Sequence, residues 1–202
     1  MSGSTLGRRA LLVHAHPNPS SFSGVLRDRA LAGLERGGWI TDVADLYPDG
    51  FTPAMTYDER RAYHTDEPIL DPLVARYADQ VRRANALVFV YPTWWWGMPA
   101  VMKGWVERVL VAGVGFQFDE QNKIRPGMSQ INRLVGVSTY GSTRTEMALL
   151  NDSGRRSLTR AMRLNTTWRC RSTWLALYAM DRIGDPERAE FADKVEARLA
   201  AL

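Results

Sequence analysis

The feature that most constrains the fold is a continuous apolar run at residues 86–91, which reads ALVFVY and leads directly into a turn. A short run without polar residues is typical of a strand that is buried on both faces, as in a parallel sheet covered by helices. The turn lies between Pro92 and Gly97, and Pro99 suits the first turn of the helix that follows. The order strand, turn, helix is the unit from which α/β folds are built.

Three consecutive tryptophans, Trp94, Trp95 and Trp96, occupy this turn. Three adjacent side chains in a turn cannot all face one core, so part of this aromatic surface is available to something outside it. A flat aromatic ligand could use the rings together with the backbone amides of the turn, since apolar pockets are the usual small-molecule sites. The alternative is a tryptophan-rich helix entry that only packs in the core.

Four more strand-like runs alternate with helical patterns, which predicts an α/β fold with a doubly wound, five-stranded parallel sheet and helices on both faces. The expected strand order is 2-1-3-4-5, in which ligands bind where the order reverses, beside the first and third strands. The predicted strands cover residues 10–15, 39–45, 86–91, 132–138 and 172–179. The predicted helices cover residues 21–37, 72–84, 154–166 and 186–202, besides the helix after Pro99, and residues 55–70 are expected to form a polar surface loop.

Polar or aromatic loops follow the first, third and fourth strands, at residues 16–23, 92–97 and 138–142. The first of these loops leads into a helix, where free backbone amides and the helix dipole favour a phosphate. Serine clusters are also common as simple helix caps, and that alternative stays open here. The loop is not a Walker loop, because it lacks the Gly-Lys-Ser/Thr signature.

Composition excludes several other classes of protein. The chain has one cysteine, Cys170, so it has neither an internal disulfide framework nor a multi-cysteine metal site, and its three histidines show no metal-ligand spacing. We therefore predict no metal. No apolar run approaches the ~18 residues of a membrane-spanning helix. Together these features predict a cytoplasmic protein without membrane insertion.

Length and charge narrow the possibilities further. A chain of 202 residues with 45% hydrophobic content suits a single domain over residues 1–202. The formal charge is +4 and the pI about 9.5, with basic residues that look spread out among acidic ones. We interpret this as a diffuse field that favours anionic ligands such as dinucleotide phosphates. A nucleic-acid-binding module is not expected, because no basic helix or stacking motif is evident.

The tryptophan turn resembles the NAD(P)H:quinone oxidoreductase family, the DT-diaphorase-like branch of the flavodoxin-like flavoproteins. The family pattern P-x-x-W-[WF]-G-x-P-A-x-x-K-G-W-x-[DE]-R-V is matched by Pro92, Trp95, Trp96, Gly97, Pro99, Ala100, Lys103, Gly104, Trp105, Glu107, Arg108 and Val109. A second family pattern, H-x-x-P-x-S-F-[NS], is matched by His16, Pro19, Ser21, Phe22 and Ser23, allowing for spacing. A third pattern, around D-L-Y, is matched by Asp45, Leu46, Tyr47, Phe51 and Pro53.

The resemblance implies a flavin cofactor, either FAD or FMN, whose phosphate lies in the first loop and whose ring lies on the tryptophan turn. The fourth-strand loop would contact the pyrimidine edge of the ring, with Tyr140 in place of the commoner glycine. The expected cofactor-binding residues are His16, Ser21, Phe22, Ser23, Pro92, Thr93, Trp94, Trp95, Trp96, Gly97, Thr139, Tyr140 and Gly141. The expected substrate pocket consists of Trp95, Phe116 and Phe118, the last two in a small hairpin or loop.

The activity implied by the resemblance is that of an NAD(P)H dehydrogenase (quinone). Such an enzyme takes hydride from NAD(P)H and delivers two electrons to a quinone-like acceptor in a ping-pong cycle, as a homodimer. In the animal enzymes of the family a Tyr and a His after the fourth-strand loop help with charge on the reduced flavin. This sequence has Glu146 and Asp152 near the matching positions and no His beyond His64, so we name no catalytic acid or base. The alternatives are a non-enzymatic electron carrier, against which the basic pI argues, or a redox-sensing regulatory subunit of a partner such as a potassium efflux system.

Overall fold

The structure, a computed structural model, describes residues 7–202. Residues 1–6 of the predicted domain lie outside this range. Its main feature is a five-stranded parallel sheet in the order β2-β1-β3-β6-β7. Counted along the chain among these five strands, the order is 2-1-3-4-5, which confirms the predicted fold class. The sheet strands are β1 (Arg9–His14), β2 (Ile40–Asp45), β3 (Ala86–Pro92), β6 (Arg133–Thr139) and β7 (Arg171–Leu177).

Helices cover both faces of the sheet. They are α1 (Phe22–Arg36), α2 (Tyr57–Ala62), α3 (Pro72–Arg83), α4 (Ala100–Val109), α5 (Arg144–Leu149), α6 (Ser153–Arg156) and α7 (Asp185–Ala200). After α6 the chain widens into a π-turn at Ser157–Ala161 and tightens into a 3₁₀ turn at Met162–Asn165, where one helix was predicted. A separate antiparallel hairpin consists of β4 (Phe116–Phe118) and β5 (Ile124–Pro126).

The prediction of a polar surface loop at residues 55–70 is wrong in one part, because α2 lies inside it. Thr56 caps this helix by accepting a hydrogen bond from the Glu59 amide at 3.1 Å, while the Glu59 carboxylate accepts one from the Thr56 amide at 2.7 Å. This reciprocal pair satisfies two helix-end amides that would otherwise lack partners. The Thr-x-x-Glu spacing that marks such a helix start lies within a segment of polar composition, which by itself indicates a loop.

Strand β3 divides its side chains between two cores. Leu87, Phe89 and Tyr91 pack on the side of α3 and α4, whereas Ala86, Val88 and Val90 pack on the side of α1 and α7. Because successive strand side chains alternate between faces, both sets must be apolar. This explains the uninterrupted apolar run with which β3 appears in the sequence.

A buried ion network fastens α4 to the segments that precede it. Arg108, which is 4% exposed, donates to Glu59 Oε1 from Nε at 3.0 Å, to Asp71 Oδ2 at 2.8 Å and to the Thr52 carbonyl. Burial by itself would raise the pKa of the Glu59 and Asp71 carboxyls, but Arg108 and backbone amides hold both below their usual range. The network therefore requires both carboxyls to be ionised.

We expect Arg108→Met to lower the free energy of unfolding by about 3–5 kcal/mol, because it leaves two carboxylates without their partner. Urea unfolding at neutral pH measures this loss. Arg76→Met is the control, since it breaks an exposed pair with Asp49 and should cost less than about 1 kcal/mol. The two lowered pKa values make the contribution of the network fade as pH falls below about 4, so the difference from wild type should shrink there. A cost for Arg108→Met as small as that of the control would contradict the assignment.

Candidate functional site

Three loops lie side by side at the carboxyl edge of the sheet, after β1, β3 and β6. The rings of His16 and Trp94, from the first two loops, have centroids 5.8 Å apart. The Thr93 amide donates to the Thr139 carbonyl at 2.8 Å, and the hydroxyls of Thr93 and Ser138 are 2.9 Å apart. Pro92 and Thr139 are partners in the sheet register. Thr93, Pro92 and Thr139 therefore join the loops to one another.

The tryptophan turn is a two-residue hairpin turn of type I′. Trp94 and Gly97 exchange hydrogen bonds of 3.1 and 3.0 Å, while Trp95 and Trp96 have φ values of 50° and 57°. Positive φ at both central residues defines this turn, which normally contains Asn or Gly. Left-handed conformations cost a bulky residue about 1–3 kcal/mol. The turn therefore carries backbone strain while presenting its rings to the outside, with Trp95 89% exposed.

The backbone of the same turn offers hydrogen-bond donors. Within the described chain, the amides of Trp95 and Trp96 have no acceptor. The Trp96 carbonyl, in contrast, accepts a hydrogen bond from the Ser153 hydroxyl at 3.1 Å, which ties the turn to α6. Exposed aromatic faces beside two free N–H groups suit a flat heteroaromatic ligand with oxygen acceptors on its rim.

The loop between β1 and α1 presents free backbone amides at the start of a helix. Ser21 caps α1 by accepting from the Gly24 amide at 3.1 Å, and a Cβ at Gly24 would lie 2.4 Å from the Pro19 carbonyl oxygen. The absence of a side chain at Gly24 thus allows the loop to fold closely over the helix. In residues 7–202 no acceptor contacts the amides of Phe22 and Ser23, so both are available to an anion at this helix end.

A buried polar chain that the sequence analysis did not single out lies below this loop. His14, which is 1% exposed, contacts Asp45 Oδ1 from Nδ1 at 2.9 Å and Ser23 Oγ from Nε2 at 3.3 Å. Arg27 donates to the other Asp45 oxygen at 2.7 Å. Burial lowers the pKa of His14, and its hydrogen bond with Asp45 opposes that shift only in part. In the neutral ring Nδ1–H donates to Asp45, and Nε2 accepts from Ser23.

Two expected ligand contacts need correction. The Ser23 side chain is 4% exposed and faces His14 rather than the open loop. Tyr140 is 1% exposed, stacks on Tyr178 at 4.7 Å and donates to Asp152 Oδ2 at 3.1 Å, while its amide donates to the Leu177 carbonyl. Tyr140 therefore supports the loop from beneath, and the exposed Gly141 is the residue at its surface.

The residues near the family's proton-handling positions have structural contacts. Glu146 closes a capping box at the start of α5 by accepting from the Thr143 amide at 2.7 Å. Asp152 is 9% exposed, has a left-handed φ of 35°, and accepts from both the Tyr140 hydroxyl and the Arg155 amide. Both carboxylates thus have structural partners, and a catalytic acid or base is still not assigned.

The predicted substrate pocket is not assembled within one chain. Phe116 and Phe118 pack on each other at 5.6 Å and on Tyr63 and His64, and the described residues show no ring contact between either of them and Trp95. Phe116 instead lines a cavity of about 280 Å³ beside α4, together with Met98 and other mainly apolar residues. The turn precedes α4 and the hairpin follows it, so this helix lies between the two in the chain.

Two further features are absent from residues 7–202. No group of three or more His, Cys, Asp or Glu side chains there could hold a metal ion. Within the same range, no helix has both the length and the apolar character needed to cross a bilayer.

The doubly wound sheet and the loops at its carboxyl edge define a flavodoxin-like protein. The sequence profile of the flavodoxin-like fold family matches residues 8–202, so the chain belongs to that family. Among known proteins, the chain is 32% identical over 150 residues to NAD(P)H dehydrogenase [quinone] 1 of Cavia porcellus, a match that covers 67% of this chain and 54% of that protein. It is 30% identical over 152 residues to the human ribosyldihydronicotinamide dehydrogenase [quinone], covering 67% and 65%. These matches confirm the resemblance inferred from the tryptophan turn, although the chain spans only about half to two thirds of these relatives.

Solved structures show the same fold. An NAD(P)H:quinone oxidoreductase from Methanothermobacter marburgensis superposes with a TM-score of 0.77 at 24% identity, covering 96% of this chain and 98% of the other. An FMN-dependent NADH-azoreductase from Bacillus anthracis, solved with FMN, superposes with a TM-score of 0.72 at 16% identity, covering 96% and 98%. At these identities the likeness concerns the fold.

We expect Trp95→Gly to stabilise the ligand-free protein by up to about 1 kcal/mol, because relief of the left-handed φ outweighs the greater entropy of an unfolded glycine. Little packing is lost, since Trp95 is 89% exposed. Urea unfolding of the ligand-free protein measures the change. Tyr57→Gly is the control, because it removes another exposed aromatic residue from helical backbone and should cost about 1 kcal/mol. A loss of stability in Trp95→Gly would mean that the turn is not strained.

The free energy of unfolding should fall as pH is lowered from about 7 to 5, because the folded state keeps His14 neutral while the unfolded chain takes up a proton near its ordinary pKa of about 6.5. The slope from this one group cannot exceed about 1.4 kcal/mol per pH unit. His14→Gln should remove this part of the slope. Urea unfolding at a series of pH values tests this, and identical slopes in wild type and His14→Gln would refute it.

Proposed function

We propose that the chain is a flavin-dependent NAD(P)H oxidoreductase that reduces quinones or related acceptors by two electrons, an NAD(P)H dehydrogenase (quinone). One observation carries the proposal: an anion-binding helix end and an aromatic turn with free amides lie next to each other. His16 in the first loop contacts Trp94 in the second, so a single ligand can span both. The activities after which the two relatives are named are of the same class and support it.

The residues present fit a flavin mononucleotide or dinucleotide. The phosphate common to both suits the free amides of Phe22 and Ser23, and the ring suits the faces of the tryptophan turn with the Trp95 and Trp96 amides at its rim. When bound, a flavin supplies the hydride chemistry between NAD(P)H and the acceptor. The chain's own residues bind and orient: His16, Ser21, Trp94 and Gly97 shape the two loops, and Pro92, Thr93 and Thr139 hold them together.

We infer that the working form is a homodimer in which a second copy completes the acceptor pocket. Phe116 and Phe118 do not reach Trp95 in the described chain, yet Phe118 is 40% exposed and Ile124 on the paired strand is 65% exposed. Exposed apolar side chains on a hairpin suit contact with another protein surface. Light scattering of the purified protein tests the dimer, and a monomer that is fully active would contradict it.

A cytoplasmic location stays a prediction. The buried, free Cys170 is compatible with the reducing environment of that compartment. The assignment of residues 1–202 to one domain and the preference for quinone-like small-molecule acceptors over other partners are likewise part of the proposal.

We expect the purified protein to absorb at ~375 and ~450 nm, the usual bands of an oxidised flavin, to bleach anaerobically with NADPH or NADH, and to recover with menadione. Mass spectrometry of the released cofactor distinguishes FMN from FAD. Trp96→Ala should lower flavin occupancy at least tenfold, whereas Trp168→Ala, another exposed tryptophan, should not. A protein that binds neither flavin would refute the proposal. Flavin binding with sluggish turnover would instead favour an electron carrier or a redox-sensing subunit.

A further inference from the structure

Positive charge is concentrated in one part of the chain. Residues 153–180 contain six arginines and no lysine, aspartate or glutamate, so this segment has a formal charge of +6. Since the whole chain has +4, the remaining residues have −2. The interpretation of a diffuse positive field is therefore wrong, because it overlooked the absence of acidic residues from a single long segment.

The fold gathers four of these arginines with two from distant segments into one surface. Two adjoining clefts, of about 540 and 550 Å³, share Trp168 on their walls. Every charged side chain that lines the two clefts is an arginine, and no acidic side chain lines either of them. We call this surface the arginine face; it consists of Arg8, Arg133, Arg160, Arg163, Arg169 and Arg171 together with Leu164 and Trp168.

The charges of the arginine face are not neutralised within the part of the chain that the structure describes. None of its six arginines has a carboxylate within ion-pair distance, although eleven other arginine and lysine side chains do. Arg163 donates from Nε to the Cys170 carbonyl at 3.0 Å, and Arg169 lies 4.8 Å over the Trp168 ring. These contacts hold the loop in shape and leave its positive charge available to an anionic partner.

The arginine face lies at the amino edge of the sheet, opposite the candidate flavin site. Arg133 and Arg171 are the first residues of β6 and β7, and Arg8 immediately precedes β1. Parallel strands of this length span about 20 Å, so the two surfaces are separated by the depth of the sheet. The arginine face is therefore neither the cofactor site nor an extension of it.

Apolar side chains protrude from the middle of this charge. Leu164 is 79% exposed and Trp168 is 80% exposed. Tryptophan prefers the headgroup level of a bilayer, leucine enters the acyl boundary, and arginines attract anionic lipids. A single-stranded nucleic acid could also use the arginines and stack on Trp168, but it would leave Leu164 without a role. The combination favours a lipid surface.

We propose that the arginine face docks the protein reversibly on anionic lipid bilayers. Leu164 and Trp168 enter the headgroup region, and the surrounding guanidinium groups contact lipid phosphates. The carboxyl edge of the sheet then points away from the bilayer, so the candidate flavin site stays open to a water-soluble dinucleotide. The proposal depends only on the arginine face and holds whether or not the proposed flavin chemistry is correct.

The test is co-sedimentation of the full chain with vesicles of phosphatidylcholine alone or mixed with phosphatidylglycerol at about two to one. We expect binding to the anionic vesicles only, weakening steeply with salt. Arg169→Glu/Arg171→Glu should lower the partition coefficient at least tenfold. Leu164→Ser/Trp168→Ser should also lower it, while keeping the salt dependence. The control Arg61→Glu/Lys194→Glu makes the same charge change at exposed positions on α2 and α7 and should bind nearly as wild type.

Three results would overturn the proposal. The first is no binding to anionic vesicles at low salt, and the second is an equal loss of binding in the control, which would indicate a general charge effect. The third is a wild-type protein that does not bind vesicles but binds a single-stranded oligonucleotide, with this binding weakened by the substitutions in the arginine face. Circular dichroism and light scattering of each variant ensure that a loss of binding does not come from unfolding or from a changed oligomeric state.

Discussion

The burial of β3 on both faces is the constraint on which the rest of the structure depends. The neighbouring strand β6 pairs with it along its whole length and β1 over Ala10–His14, and its alternating side chains pack into both cores. The carboxyl end of such a strand cannot shift without disturbing two helix layers. The tryptophan turn is therefore held on a rigid support, and the loops after β1 and β6 take their places relative to it.

That rigidity explains how the turn tolerates its own backbone. Left-handed conformations at bulky residues persist only where the surroundings hold them in place. The paired hydrogen bonds of Trp94 and Gly97 and the bond from Ser153 supply that restraint. A turn of Asn and Gly would close the same hairpin without strain. The cost is understandable if the exposed rings and free amides of Trp95 and Trp96 have a ligand to hold.

Buried polar groups do a related job elsewhere in the fold. Arg108 joins α4 to the chain before β3, and His14 joins the ends of β1 and β2 to the first turn of α1. Each holds a helix in a fixed orientation through charged or directional contacts. Apolar packing alone is not directional and would not fix that orientation. The arginine face, in contrast, lies at the opposite edge of the sheet, so the molecule has two chemically different ends.

The sequence by itself determined the fold class, the strand order and the three loops that meet at the carboxyl edge. These follow from local patterns: apolar runs, helical spacing and turn residues, each of which acts over a few neighbouring positions. Only the tertiary structure decided that Ser23 faces His14, that Tyr140 is buried against Asp152, that Phe116 lies away from Trp95, and that Arg8 and Arg133 join the arginines of residues 153–180. The orientation of a side chain and the neighbours of a charged group depend on which distant segments pack around them. No local pattern contains that information.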